Sequence, residues 1–226
     1  MKMDNFVKIA AILAHEIRNP VSSIAGAAQL IRSDKDVLNN DEQRIKLMGI
    51  IERETERLTN LVEEFLVYSG SEKRKNDPVN LTEVLNRSIN NIKTNAEYSL
   101  KNIKIDFKDQ AHDFIMNGDE QRLIQAFDNI LLNAVQASPA NSTITVQTKE
   151  MTEGMFITIT DQGVGIPEVS IKEIFEPFFT TKEKGTGLGL AITWNIINAH
   201  SGNIEVSNSN TTNGAVFKIC FPRIKM

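Results

Sequence analysis

From Phe6 to Ile31 the apolar residues recur at steps of three and four: Phe6, Ile9 and Ala10, Leu13, Ile17, Val21, Ile24, Ala28 and Ile31. A polar stretch over residues 33–41 interrupts the series. A second series then runs through Ile45, Met48, Ile51, Thr55, Leu58, Val62 and Phe65. This spacing predicts two long amphipathic helices between residues 3 and 70, joined as a hairpin. One hairpin leaves an apolar stripe on each helix and no closed core. Pairing with a second copy into a four-helix bundle covers both stripes, so a homodimer is expected. Packing on the rest of the same chain is the alternative.

Residues 71–78 are charged, poor in apolar side chains and closed by Pro78, which reads as a linker. The period then changes. Residues 81–95 read as a helix, 103–107 alternate as a strand, and 120–137 form a helix with a nearly continuous apolar face. Strands over 143–149 and 155–160 lead into glycine-rich loops. A helix over 189–199, ended at Gly202, and strands over 204–207 and 215–221 complete the chain. The expected class is α+β, a helical hairpin followed by a two-layer α/β sandwich. The boundaries are 1–71 for the hairpin, 72–77 for the linker and 78–226 for the sandwich.

Composition narrows the picture. At 226 residues and 41% apolar content the chain can bury a core. No run of about 18 apolar residues is present, so no membrane segment is expected, and the N-terminus lacks the apolar run of a leader. One cysteine, Cys220, makes neither an internal disulfide nor a cysteine-rich metal site. A soluble protein in a reducing compartment is expected. The net charge of −4 argues against a nucleic-acid-binding surface.

The first candidate for chemistry lies on the first helix. At about 100° per residue, His15 stands about 200° from both Leu13 and Ile17, facing solvent. Asn19 is one turn further along the same face and Glu16 is adjacent. Pro20 removes the hydrogen bond to the Glu16 carbonyl and is expected to bend the helix there. A nucleophilic imidazole needs one nitrogen free and the other held by an acceptor, which Glu16 can supply. A solvated, idle histidine is the plain alternative.

Four segments of the second part share one chemistry. Asn129 and Asn133 place two carboxamides one turn apart in an apolar helix. They are either packing residues or, since buried amides need partners, oxygen ligands for a magnesium ion that bridges phosphates. Asp161, followed by Gly163 and Gly165, puts a carboxylate at a glycine-rich turn, where it either closes the turn or accepts the amine of adenine. Phe175, Phe178 and Phe179 crowd a loop and read as the packing pad of a mobile segment, from which Lys182 reaches towards phosphate. Gly185, Thr186, Gly187, Leu188 and Gly189 open a helix whose N–H groups can approach an anion. Each segment is a weak signal alone. Their order, with His15 upstream, is specific.

Over essentially its full length the sequence resembles the transmitter core of a bacterial two-component sensor histidine kinase. Residues 14–20 are similar to that family's H box, 129–134 to its N box, 161–167 to G1, 175–179 to the F box and 185–190 to G2. The H box also resembles the nitrogen-regulation type. The resemblance implies a dimerisation and histidine-phosphotransfer hairpin and an ATP-binding sandwich of the GHKL type. It implies an ATP-dependent protein-histidine kinase that autophosphorylates His15 and passes the phosphoryl group to an aspartate of a response regulator receiver domain. Carried over by residue, Glu16 would polarise His15 and Asn19 would position water for a phosphatase reaction. Asn133, with Asn129 nearby, would hold Mg2+, and Asp161 would bind adenine. Gly163, Gly165, Gly187 and Gly189 would line the lid and phosphate site, and Lys182 would contact phosphate.

The chain departs from the pattern at Gln136 and Ala137, where many members carry a basic and an aromatic residue. Only Glu183 and Lys184 separate Lys182 from Gly185, so the lid is short. Related ATPases carry a water-activating glutamate where Asn129 stands. An amide has no basic site, so Asn129 should leave the γ-phosphate to His15. No sensor segment precedes the H-box helix, so the signal is expected from elsewhere in a longer kinase or from a separate partner. A cytoplasmic location is expected, with membrane attachment of a longer parent left open. Two rivals remain, an ATP-binding regulator without turnover and a serine kinase or hydrolytic ATPase. The His15–Glu16 pair opposes the first and the hairpin opposes the second. His200 reads as a helix cap, His112 as an idle turn residue, and Trp194 and Cys220 as packing residues.

Overall fold

The computed structural model describes residues 2–33, 40–69, 75–111, 114–182, 185–211 and 213–223, with side chains described from Ile9 onward. His112, Glu183, Lys184 and residues 72–74 of the expected linker lie outside the described residues. The chain divides into two compact units, Met1–Ser69 and Gly70–Met226.

In the first unit α1 (Lys2–Ser33) and α2 (Asp41–Ser69) pack against each other. The start of α2 is set locally. Asn40 Oδ1 accepts the Gln43 N–H at 3.2 Å, and Asp41 and Glu42 stand at the positive end of the helix dipole. α1 runs through Pro20 as one helix, and Pro20, Ala27 and Leu61 are the buried residues of the seam. The expected second stripe is only partly in that seam: Ile51, Leu58 and Phe65 are half-buried, but Ile45, Met48 and Val62 are 69%, 53% and 45% exposed. Leu47, Ile50, Glu54, Arg57 and Leu61 complete the packed face instead. The apolar band of α2 is wider than one neighbouring helix can cover, which is what a bundle helix with two neighbours requires.

The second unit opens with β1 (Asp77–Asn80), α3 (Leu81–Lys93), α4 (Ala96–Leu100), β2 (Lys104–Gln110) and β3 (Ile115–Gly118). It continues with α5 (Glu120–Ala137), β4 (Thr143–Met151), β5 (Gly154–Thr160), α6 (Gly189–Ala199), β6 (Asn203–Asn208) and β7 (Ala215–Pro222). The main sheet has the order β2-β4-β5-β7-β6, parallel between β2 and β4 and antiparallel elsewhere. β1 and β3 form a separate antiparallel pair in which Asp77 faces Gly118, so the strand takes in the last residue of the expected linker.

One face of the sheet is buried by alternation: Ile144 and Val146 on β4, Met155, Ile157 and Ile159 on β5, Phe217, Ile219 and Phe221 on β7. Cross-strand partners such as Ile157 with Ile219 and Ile159 with Phe217 make this face continuous. Over it α3, α5 and α6 pack side by side. Leu123, Phe127, Ile130, Leu131 and Ala134 turn the apolar stripe of α5 inward, each large side chain contributing about 1.5–3 kcal/mol. The flank of α5 left half-exposed carries Asn129, Asn133 and Gln136.

Both ends of α5 are fixed. At its start Asp119 accepts the N–H groups of Arg122 at 3.2 Å and Lys75 at 3.0 Å. Its own N–H donates to buried His200 Nε2 at 2.9 Å. His200 also caps the end of α6, as expected. At the far end of α5, Lys101 Nζ donates to the carbonyls of Val135, Gln136 and Ser138 at 3.0, 2.9 and 3.2 Å. A cation at a helix C-terminus meets the negative end of the dipole.

Candidate functional site

On α1 the His15 side chain is 67% exposed. Its Nδ1 lies 3.9 Å from Glu16 Oε1 and 3.4 Å from Asn19 Nδ2. The helix therefore brings together the three residues expected there. The two neighbours ask opposite things of the ring. A carboxylate accepts a proton from Nδ1 and leaves Nε2 unprotonated, whereas an amide N–H donates to Nδ1 and places the ring proton on Nε2.

Sequence reasoning missed the partner of Glu16. Arg57, from α2, brings Nη2 to 3.5 Å from Glu16 Oε2 and Nη1 to 3.9 Å from Glu54 Oε2. Nothing in the local pattern distinguishes Arg57 from the other charged residues of α2; only the seam between the helices selects it.

In the second unit the N-terminus of α6 and the flank of α5 meet. Asn129 Nδ2 donates to Gly189 O at 3.0 Å, tying α5 to the first turn of α6. Lys182 Nζ donates to Asn133 Oδ1 at 2.5 Å and also to Gln136 Oε1. The residue as a whole is exposed, yet its ammonium group is drawn in, and this loss of solvent lowers the lysine pKa. Gln136, in the sequence only a departure from the family pattern, thus supplies an oxygen that holds the Lys182 ammonium.

These oxygens fit a hard cation. Asn133 Oδ1 already accepts a positive group, and amide oxygen is a ligand type that Mg2+ takes alongside phosphates and water. No cluster of three or more His, Cys, Asp or Glu occurs among the described residues, so a closed protein cage is not what they build.

Asp161 follows β5 and is 3% exposed. Its Oδ1 accepts the N–H groups of Gly163 at 2.8 Å and Ala215 at 3.0 Å. Burial pushes its carboxyl above the usual range, and these two hydrogen bonds only partly offset that. A Cβ at Gly163 would stand 2.7 Å from the Ala137 carbonyl oxygen, so glycine lets the turn lie against the end of α5. Asn208 clamps the turn from β6, its amide bonding both the N–H and the carbonyl of Ile166 at 2.7 Å. A depression of about 580 Å³ borders the turn at Gln162, Gly163, Asn208 and Asn213 but lacks Asn129 and Asn133. The convergent polar groups on α5 and α6 define the site better than that open surface.

Phe175, Phe178 and Phe179 are half-buried, consistent with a pad under the segment that carries Lys182. Phe178 (φ 66°) donates its N–H to Gly187 O at 3.0 Å. Gly187 has φ +70°, and a Cβ there would come within 2.5 Å of the Phe178 carbonyl carbon, so this contact requires glycine. Leu188 is fully buried, and its N–H donates to Thr186 Oγ1 at 3.3 Å. Gly185 and Gly189 flank this turn.

Comparison with known proteins defines the class. Residues 7–74 match the His Kinase A (phospho-acceptor) domain, and residues 118–225 match the Histidine kinase-, DNA gyrase B-, and HSP90-like ATPase family. The chain is 36% identical over 217 residues to sporulation kinase A of Bacillus subtilis (96% of this chain, 34% of that protein). It is 37% identical over 217 residues to the sensor histidine kinase ZraS of Salmonella typhi (96% of this chain, 45% of that protein). It therefore spans between about a third and half of the length of these relatives. Among solved structures, histidine kinase ThkA in complex with response regulator protein TrrA is similar with a TM-score of 0.78 and 29% identity, covering 98% of this chain and 63% of that one. The isolated catalytic domain of ThkA is similar with a TM-score of 0.59 and 31% identity, covering 67% of this chain and 96% of that one. The chain belongs to the sensor histidine kinases, with their phospho-acceptor hairpin and GHKL ATPase fold. No helix among the described residues is long and apolar enough to cross a membrane.

Proposed function

We propose that this chain is a kinase core that binds Mg-ATP in its second unit, transfers the γ-phosphoryl group to His15, and passes it to an aspartate of a response regulator receiver domain. The hairpin, residues 1–71, serves as dimerisation and phosphotransfer domain, residues 72–76 link, and the second unit from β1 onward, residues 77–226, binds nucleotide. The observation that carries the reading is the exposed His15 imidazole, whose Nδ1 is flanked by a carboxylate and a carboxamide at 3.9 and 3.4 Å.

His15 attacks as the neutral ring. With Nδ1–H directed at Glu16 Oε1, the Nε2 lone pair forms the bond to the γ-phosphorus. The bond from that phosphorus to the β–γ bridging oxygen breaks, ADP leaves with its electron pair, and the Nδ1 proton passes to Glu16. For this the Glu16 contact shortens to the 2.7–3.2 Å typical of an N–H···O hydrogen bond, about that range in general. Asn19, donating to Nδ1, favours the other tautomer and suits the reverse task of positioning water at a phosphorylated receiver.

In the second unit Asn133, with Asn129 nearby, holds Mg2+, which offsets phosphate charge when bound. Asp161 binds adenine at the turn of Gly163 and Gly165. Lys182 moves from Asn133 to phosphate, and Gly185, Thr186, Gly187, Leu188 and Gly189 present N–H groups to it. Asn129 is held by Gly189 O and has no basic atom to activate water, which disfavours plain ATP hydrolysis. The working compartment in this reading is the cytoplasm.

Calorimetric titration of the Asn133→Ala variant tests the nucleotide half. Mg-ATP binding is expected to be lost with the helical hairpin still dimeric; affinity close to that of the unchanged chain would overturn the metal assignment.

A further inference from the structure

We infer that Arg57 is a positioning residue for the reaction at His15, acting by holding Glu16. The inference rests on the reading that His15 is the phospho-acceptor and Glu16 its base. The two oxygens of Glu16 face different partners: Oε1 faces His15 Nδ1 at 3.9 Å and Oε2 faces Arg57 Nη2 at 3.5 Å. A carboxylate held by one oxygen cannot rotate freely, so the other keeps its direction. Glu54, at 3.9 Å from Nη1, holds the opposite end of the guanidinium. The planar fork of Arg57 thus spans two carboxylates, a geometry that the single ammonium of a lysine reproduces only in part.

The placement is not that of an ordinary surface pair. Glu16 and Glu54 are 28% and 26% exposed and Arg57 is 35% exposed. They lie in the seam where Leu13, Ile17, Ile50 and Leu58 are also half-buried. Charged groups in an apolar seam lose solvation, so their retention calls for a gain elsewhere. A pair this open to solvent is screened, so what the guanidinium contributes is the direction of the carboxylate. Arg57 also comes from α2 whereas His15 and Glu16 come from α1. Any slide or rotation of one helix against the other therefore moves the base relative to the ring.

A purely structural role, in which the triad only fixes helix register, predicts lost stability and rate effects independent of Glu16. The test is a double-mutant cycle on the full chain, using the rate of His15 labelling at saturating Mg-ATP. Arg57→Gln is expected to lower that rate about tenfold to a hundredfold, the scale of a misdirected catalytic group, with the KM for ATP unchanged. In the Glu16→Gln background the same change is expected to cost nothing further, and Arg57→Lys is expected to recover part of the rate. Equal losses with and without Glu16, or Arg57→Gln labelled as fast as the unchanged chain, would overturn the inference and leave the function standing. If Arg57→Gln does not fold, Arg57→Lys carries the cycle with Glu16→Gln by the same criteria. Absence of label on the unchanged chain, or label on His15→Gln, would instead overturn the underlying reading.

Discussion

Asp161 is a carboxylate kept out of water by the turn that follows β5, with Oδ1 fixed by two backbone N–H groups. Its folded pKa is raised by burial, so between the unfolded and folded values the folded chain binds more protons. Stability contributed by this residue therefore falls as pH rises through that window, and at neutral pH its charge weakens the fold. Asp161→Asn keeps an acceptor oxygen and removes the charge. It is expected to raise the thermal midpoint of the second unit at pH 7, with the gain shrinking as pH is lowered into the carboxylate range, while ATP affinity is lost. A lower midpoint at pH 7 would contradict the account. Lys182→Met removes the cation on Asn133 and Gln136 and is expected to weaken ATP binding about tenfold by calorimetry, as loss of one charge-assisted contact does. At this scale the sequence was most legible where chemistry is local: His15 and Asn19 share one helix face with Glu16 beside them, and Asn129 and Asn133 share one flank. It was least legible for Arg57 and Gln136. Their partners lie far along the chain, and only tertiary packing brings them together.

α5 connects the two ends of the nucleotide unit. At its start the buried Asp119 N–H donates to His200, the cap of α6, and near its middle Asn129 reaches the first turn of the same helix. His200→Ala leaves that N–H without its acceptor. This is expected to cost the second unit about 1–3 kcal/mol, measured by urea unfolding, and an unchanged midpoint would show that the contact is idle. Just before α6, Gly187→Ala forces a Cβ into the Phe178 backbone at φ +70°. Slower labelling of His15 with the fold of the hairpin unchanged is the expected result. The long helices and the central strands follow from period, because burial on one face imposes it. The four-residue strands Asp77–Asn80 and Ile115–Gly118 and the helix Ala96–Leu100 are too short to carry a period, and they exist through pairing and caps such as Asn95 Oδ1 on the Glu97 N–H.

The chain joins a phospho-acceptor hairpin to a nucleotide unit, and the hairpin carries an apolar surface that its own two helices leave uncovered. On the hairpin, Val21, Leu30, Ile45, Met48, Val62 and Leu66 are exposed. In α2 they fall on one side as two pairs, Ile45 with Met48 and Val62 with Leu66, and in the proposed dimer a second copy covers them. Ile45→Asp combined with Val62→Asp is expected to convert a dimer to a monomer in sedimentation equilibrium without loss of ATP binding. An unchanged mass would place the partner elsewhere. The stripe was legible in the sequence, but its division between the neighbour in the same chain and a second copy was not. Both neighbours demand the same apolar chemistry.

The central claim is that His15 receives phosphate from ATP. It is tested most directly by incubating the unchanged chain and His15→Gln with γ-labelled ATP and magnesium, then treating the labelled protein with acid and with alkali. Label is expected on the unchanged chain alone, lost in acid and kept in alkali, as a phosphorus–nitrogen bond on imidazole behaves. Label of equal intensity on His15→Gln, or label that survives acid, would contradict it.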